Sequence, residues 1–124
     1  MRRPWVVFAA SLALAGCGGE TGGKHRALTL PAGAALTVTA DEYSFDPDRI
    51  TVAKPGELAV RVRNKGSLAH DLRIRHDGRD IGGTPAFQGG SRSFRIRLAR
   101  GRYSFLCTVG DHAQLGMRGT IRVR

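Results

Sequence analysis

Short runs in which apolar and polar residues alternate dominate the chain from about residue 36 onward. Leu58, Val60 and Val62 alternate with Arg61 and Arg63. The same period of two recurs over residues 36–40, 50–52, 72–75, 93–98, 103–107 and 121–123. This period is typical of a strand with one buried face, and no stretch shows the period and length of a helix. Glycine-containing turn signals separate the runs, so the pattern predicts an all-β sandwich or barrel.

The first residues have the layout of an export signal. A positive start with Arg2 and Arg3 precedes an apolar run over residues 5–14, which is too short to span a bilayer. The run ends in Leu-Ala-Gly-Cys17, which resembles the bacterial lipoprotein box. We therefore predict a signal peptide over residues 1–16 and a lipid on Cys17. The alternatives are an ordinary signal peptide cut near Ala15 and twin-arginine export.

The predicted location follows from this signal. The protein is expected to be exported and lipid-anchored, either at the outer face of the cytoplasmic membrane or in the periplasm. Glycine pairs, Pro31 and the lack of sustained apolar periodicity predict a flexible linker over residues 17–35. In this interpretation His25 is solvated, and the folded domain covers residues 36–124.

Three potential metal-binding side chains share the segment between the last two predicted strands. Four residues separate Cys107 from His112 and four more separate His112 from Met117, and His70 lies upstream at the start of another strand. Two imidazoles, one thiolate and a weak thioether are the ligand set of a mononuclear blue-copper site. Zinc is the alternative metal, but the thioether suits copper better. A disulfide between Cys17 and Cys107 is disfavoured because each cysteine has another use.

The same segments resemble the cupredoxins. The resemblance lies in residues 41–52, in residues 63–71 with the first histidine, and most specifically in residues 103–123. It implies a Greek-key sandwich of about seven to eight strands with one copper ion at one end. The ligand spacing is similar to that of auracyanins and rusticyanins.

The sequence departs from the cupredoxin pattern at two places. Gly110-Asp111 stands before the second histidine, where many cupredoxins have Pro-Gly. Asp71 follows the first ligand, where the family often has an Asn that bonds to a Ser or Thr after the Cys, here Thr108. We predict an Asp71–Thr108 hydrogen bond that supports the metal ligands from outside. Both carboxylates are expected to favour Cu(II) and so to lower the reduction potential.

The resemblance implies an electron shuttle. In cupredoxins the edge of the second histidine is commonly the electron port, and we expect an apolar patch of Leu68, Phe87, Leu115 and Gly116 around His112. The net charge of +10 favours a redox partner with an acidic docking surface, such as a cytochrome or an oxidase subunit. We expect the protein to be a monomer.

Other function classes fit the sequence less well. Copper delivery or storage is the main alternative, but the chain has only Met1 and Met117, whereas carriers often have Met or His clusters. Copper oxidases and nitrite reductases need more domains and more histidine ligands, so we predict no enzyme. Nucleic-acid binding is disfavoured because no aromatic residues are interleaved with the strand arginines.

Overall fold

The computed structural model describes residues 25–124, which form two β-sheets and, within that range, no helix. The ten strands in chain order are β1 (Ala27–Leu30), β2 (Leu36–Asp41), β3 (Ser44–Asp46), β4 (Arg49–Val52), β5 (Gly56–Asn64), β6 (Arg73–His76), β7 (Arg79–Gly83), β8 (Gly90–Leu98), β9 (Gly101–Leu106) and β10 (Arg118–Val123). The predicted all-β sandwich is confirmed. The strand count exceeds the expected seven to eight because short strands were not apparent from the sequence.

The two sheets have the orders β1-β4-β10-β9-β6-β7 and β3-β2-β5-β8. In the larger sheet β4 lies between β1 and β10 and runs parallel to both. In the smaller sheet β5 runs parallel to β2 and antiparallel to β8. Strands β6 and β9 are antiparallel neighbours. The segment before β6 and the segment after β9 therefore lie at the same end of the sandwich.

The alternating pattern places the apolar side chains between the sheets. Along β5, Leu58, Val60 and Val62 are buried, whereas Arg61 and Arg63 are exposed. Phe45 and Phe105 pack together at the centre, with ring centroids 5.4 Å apart. Burial of each large apolar side chain contributes roughly 1.5–3 kcal/mol to folding.

The predicted linker is wrong in its second half. Residues 27–30 form β1, which pairs with β4, and Leu30 is buried in the core. The Arg26 amide donates a hydrogen bond to Asp48, and His25 Nδ1 lies 2.5 Å from Asp48 Oδ2, so His25 is anchored as well as half-exposed. Leu28-Thr29-Leu30 does alternate, but the run is too short to stand out from its glycine-rich surroundings. The folded part therefore begins no later than His25.

The signal peptide over residues 1–16 and the lipidation site Cys17 lie outside the described residues. Within residues 25–124 there is no helix of the length and apolarity that a membrane span requires.

One of the glycine pairs that the sequence analysis took as turn signals, Gly82-Gly83, is part of a strand. Gly82-Gly83 belongs to β7, which pairs with β6. A Cβ atom at Gly83 would lie 2.0 Å from the carbonyl oxygen of Leu72, so the glycine permits close backbone approach.

Candidate metal centre

A single loop, residues 107–117, carries three of the predicted ligands from β9 to β10. The Cys107 amide donates to the Met117 carbonyl, and the Met117 amide donates to the His112 carbonyl, both at 3.1 Å. The His112 amide in turn donates to the Val109 carbonyl at 3.1 Å. These bonds fold the loop back on itself, so that residues three, five and ten positions apart in sequence become neighbours in space.

The loop needs a glycine where it approaches another segment. Gly116 has a φ of +121°, and a Cβ atom there would lie 3.2 Å from the Tyr43 carbonyl oxygen. An L-residue rarely adopts this backbone conformation, so the sequence around Met117 is restricted by the fold as well as by ligand chemistry.

The fourth predicted ligand, His70, is held by a separate pair of backbone hydrogen bonds. Its amide donates to the Phe87 carbonyl at 3.1 Å and its carbonyl accepts from the Phe87 amide at 3.0 Å. Asn64, at the end of β5, supports this segment: its side-chain amide donates to the carbonyls of Leu68 and Phe87 at 2.9 Å. The position of His70 is therefore set by contacts from two other parts of the chain.

Three potential ligand atoms converge at this end of the sandwich. His70 Nδ1 lies 3.2 Å from His112 Nδ1, and Cys107 Sγ lies 4.0 Å and 3.6 Å from these two nitrogens. All three residues are buried. Within residues 25–124 this is the one group of three or more His, Cys, Asp or Glu side chains close enough to hold a metal ion.

The donor set fits one copper ion. Metal–nitrogen and metal–thiolate bonds measure about 2.0–2.3 Å, so no pair of these atoms is too far apart to share one ion. The Met117 side chain is fully buried, and the Met117 backbone is hydrogen-bonded to the backbones of Cys107 and His112. Two imidazoles, a thiol and a thioether form a soft set that favours copper over zinc. Burial raises the pKa of the Cys107 thiol above its ordinary value, so a metal would have to displace its proton.

The expected contact between Asp71 and Thr108 is present. The Asp71 carboxylate accepts a hydrogen bond from the Thr108 amide at 2.6 Å and another from the Thr108 hydroxyl. Asp71 is buried beside His70, and Thr108 follows Cys107. The contact therefore joins the two chain segments that carry these ligands.

A carboxylate that the sequence analysis missed lies on the other side of His70. Glu42 Oε1 is 3.1 Å from His70 Nε2 and also accepts the Leu68 amide at 2.8 Å. The hydrogen bond from Leu68, assisted by those from Ser67 and His70, lowers the pKa of Glu42 to about 2. Glu42 is thus ionised at neutral pH. No local pattern could have identified it, because it lies in a connection 28 residues from His70.

The surface near His112 differs in part from the expected apolar patch. Leu68 and Leu115 are exposed as predicted, at 41% and 52%. Phe87 is instead buried, because its strand-like pairing with His70 turns it into the core. Tyr43, which the sequence did not suggest, is partly exposed, and its ring centroid lies 5.0 Å from that of His112.

Comparison with solved structures identifies the fold. An auracyanin from Roseiflexus castenholzii superposes with a TM-score of 0.65 at 20% identity, over 73% of this chain and 96% of that one. Reduced rusticyanin superposes with a TM-score of 0.64 at 22% identity, over 79% of this chain and 84% of the rusticyanin chain. Auracyanin A, a blue copper protein from Chloroflexus aurantiacus, superposes with a TM-score of 0.58 at 17% identity, over 80% of this chain and 100% of the auracyanin chain. The architecture of this chain is therefore that of these copper proteins.

Other comparisons are less informative. A multicopper oxidase superposes with a TM-score of 0.59 at 14% identity, over 73% of this chain but only 41% of the oxidase. A copper-containing nitrite reductase from Thermus scotoductus superposes with a TM-score of 0.57 at 20% identity, over 79% of this chain but only 28% of the reductase. No protein-family model matches the chain, and no curated protein matches it by sequence.

Proposed function

We propose that this chain, whose fold is that of the cupredoxins, is a type 1 copper protein that carries single electrons between redox partners at the cell envelope. The observation that supports this most directly is the convergence of the His70 and His112 Nδ1 atoms and Cys107 Sγ in a buried site. Copper bound there would supply one-electron chemistry by cycling between Cu(I) and Cu(II).

In this proposal His70, Cys107, His112 and Met117 are the metal ligands. The two ligand-bearing segments are tied to the sandwich by backbone hydrogen bonds, and they are tied to each other through Asp71 and the Thr108 amide. A site held in this way would change little in geometry when copper gains or loses an electron. A small change in the geometry of the site favours fast electron transfer. For this reason we propose an electron shuttle and not a copper-storage protein.

The electron would leave through the partly exposed surface formed by Tyr43, Leu68 and Leu115. Tyr43 contacts the His112 ring, and the two leucines are among the few large apolar side chains exposed within residues 25–124. An apolar patch above a ligand allows close, transient docking. The net charge of +10 becomes +8 once Arg2 and Arg3 are removed with the proposed signal peptide, and the protein would still favour a partner with an acidic surface, such as a cytochrome or an oxidase subunit.

We propose no enzymatic activity. Residues 25–124 contain a single group of side chains that could hold a metal ion, and its two histidines are buried, which leaves little room for a substrate. We also propose export and lipid anchoring through Cys17, on the strength of the Leu-Ala-Gly-Cys sequence. Mass spectrometry of the N-terminal peptide from the membrane fraction tests this. An unmodified Cys17 that is still preceded by Gly16 would refute the anchor.

The visible spectrum after addition of one equivalent of Cu(II) tests the metal site. We expect an intense blue thiolate-to-copper band that Cys107→Ser abolishes and the matched Cys17→Ser preserves. The band should disappear on reduction and return on reoxidation over repeated cycles.

Competition with a Cu(I) chelator distinguishes the shuttle from copper delivery. A shuttle keeps its copper through many redox cycles, whereas a delivery protein yields it readily to the chelator. Absence of the blue band, with copper bound only as Cu(I), would refute the shuttle.

A further inference from the structure

Glu42 contacts the segment that carries His70 from a connection that contains none of the proposed ligands. It lies between β2 and β3, and its Oε1 atom reaches both His70 Nε2, at 3.1 Å, and the Leu68 amide, at 2.8 Å. The His70 side chain is fully buried, and the Glu42 side chain is 25% exposed. Within residues 25–124, Glu42 is the polar partner of His70 Nε2.

This contact determines which ring nitrogen of His70 carries the proton. An ionised carboxylate only accepts hydrogen bonds, so His70 Nε2 must be the donor. In the neutral imidazole, Nδ1 then keeps its lone pair. Nδ1 is the atom that faces Cys107 Sγ and His112 Nδ1, at 4.0 Å and 3.2 Å. The carboxylate thus directs the lone pair of His70 toward the proposed metal.

We infer that Glu42 is a positioning residue for His70 and that its negative charge biases the site toward Cu(II). The inference rests on the proposed copper function and extends it to the setting of the reduction potential. A carboxylate that accepts the outer N–H of a ligating histidine fixes the ring and makes the ligand more basic. Because Cu(II) carries one more charge than Cu(I), a nearby anion stabilises it more.

Gly66 shows how tightly the carboxylate is held. A Cβ atom at this position would lie 2.5 Å from Glu42 Oε1 and 2.7 Å from Oε2. The φ of Gly66 is outside the left-handed region, so alanine fits the backbone there. Because the overlapping atoms are the far end of a flexible side chain, we expect Gly66→Ala to displace the carboxylate without changing Glu42 or His70 themselves.

The first test is the ratio of the dissociation constants for Cu(II) and Cu(I). Glu42→Gln keeps the shape and the hydrogen-bond acceptor but removes the charge. We expect it to lower the preference for Cu(II) about tenfold, which raises a one-electron potential by about 59 mV. The matched control is Glu57→Gln, which removes an exposed carboxylate that pairs with Arg95 on the outer face of β5 and β8. Its effect should stay within about twofold.

The second test reads the His70 tautomer by ¹⁵N NMR in the metal-free protein. We expect Nε2–H in the wild type and in Glu42→Gln, whose carbonyl oxygen still accepts the bond. We expect loss of this preference in Glu42→Ala and Gly66→Ala. Folding of each variant is checked by its remaining amide spectrum, and the glutamine variant keeps the test decisive if Glu42→Ala does not fold.

The outcomes separate this inference from the copper function. A wild type that gives a blue band, with an unchanged Cu(II)/Cu(I) ratio in Glu42→Gln, refutes the charge effect. An unchanged tautomer in Gly66→Ala, or in a folded Glu42→Ala, refutes the positioning role. A wild type that binds no copper refutes the proposed function, while the tautomer measurement still decides whether Glu42 orients His70.

Discussion

Replacing Asn64 with alanine should destabilise the protein through the segment that holds His70. Asn64 is 4% exposed. Its side-chain nitrogen donates to the carbonyls of Leu68 and Phe87, and its side-chain oxygen accepts the Gly66 amide, all at 2.9 Å. The substitution removes all three hydrogen bonds and leaves a small cavity.

The expected loss follows from the number of bonds. A neutral hydrogen bond contributes about 0.5–1.5 kcal/mol to stability, so three give a loss of about 3 kcal/mol. This is a large part of the roughly 5–15 kcal/mol by which a domain is stable, yet it leaves the protein folded at room temperature. Because His70 is bonded to Phe87, we also expect weaker copper binding.

Urea unfolding of the metal-free protein measures the effect without the contribution of copper. Asn64→Asp separates the effect of the lost hydrogen bonds from the effect of the cavity, because aspartate has the same volume but cannot donate to the two carbonyls. It should lower the free energy of unfolding at least as much as Asn64→Ala does. Gln88→Ala is the matched control: Gln88 donates a 2.9 Å bond to Ser67 in the same segment but is exposed, so its loss should stay below about 1 kcal/mol. A loss in Asn64→Ala no greater than in this control would refute the reasoning.

Three other perturbations are informative. Asp71→Ala frees Thr108 and should weaken copper binding about 10- to 100-fold, and an unchanged affinity and spectrum would contradict the supporting role. Gly119→Ala places a Cβ atom 2.2 Å from the Phe105 ring and should lower the free energy of unfolding in urea by about 1–3 kcal/mol or more. A smaller loss would mean that the core relaxes around the added methyl group. The ion pair with Arg73 lowers the pKa of Asp80 below its ordinary value of 3.8. Above that pH the wild type should therefore be more stable to unfolding than Asp80→Asn, by at most about 1 kcal/mol. The difference should vanish as the pH falls through the pKa of Asp80 in the folded protein. A difference that persists in acid would contradict this.

Local sequence accounts for most of the sandwich. The alternation along β5 and β9 was sufficient to predict their buried faces, because a strand exposes every second residue to the same side. It was insufficient for β1 and β7. The first is too short to show a period, and the second contains a glycine pair that serves close backbone packing in place of a turn.

The candidate metal centre divides in the same way. Cys107, His112 and Met117 lie within one loop, so their residue types and spacing were enough to predict that they would be close together. The sequence also indicated His70, but the orientation of its Nδ1 toward Cys107, 37 positions away in the chain, depends on the folding of distant segments against each other. Glu42 could not be foreseen, because its contact with His70 depends on the parallel pairing of β2 with β5, which places the residues that follow these two strands side by side, and not on any local period. Strand periodicity is a property of neighbours in sequence, whereas the charge around a metal site is set by residues that only the packed sandwich brings together.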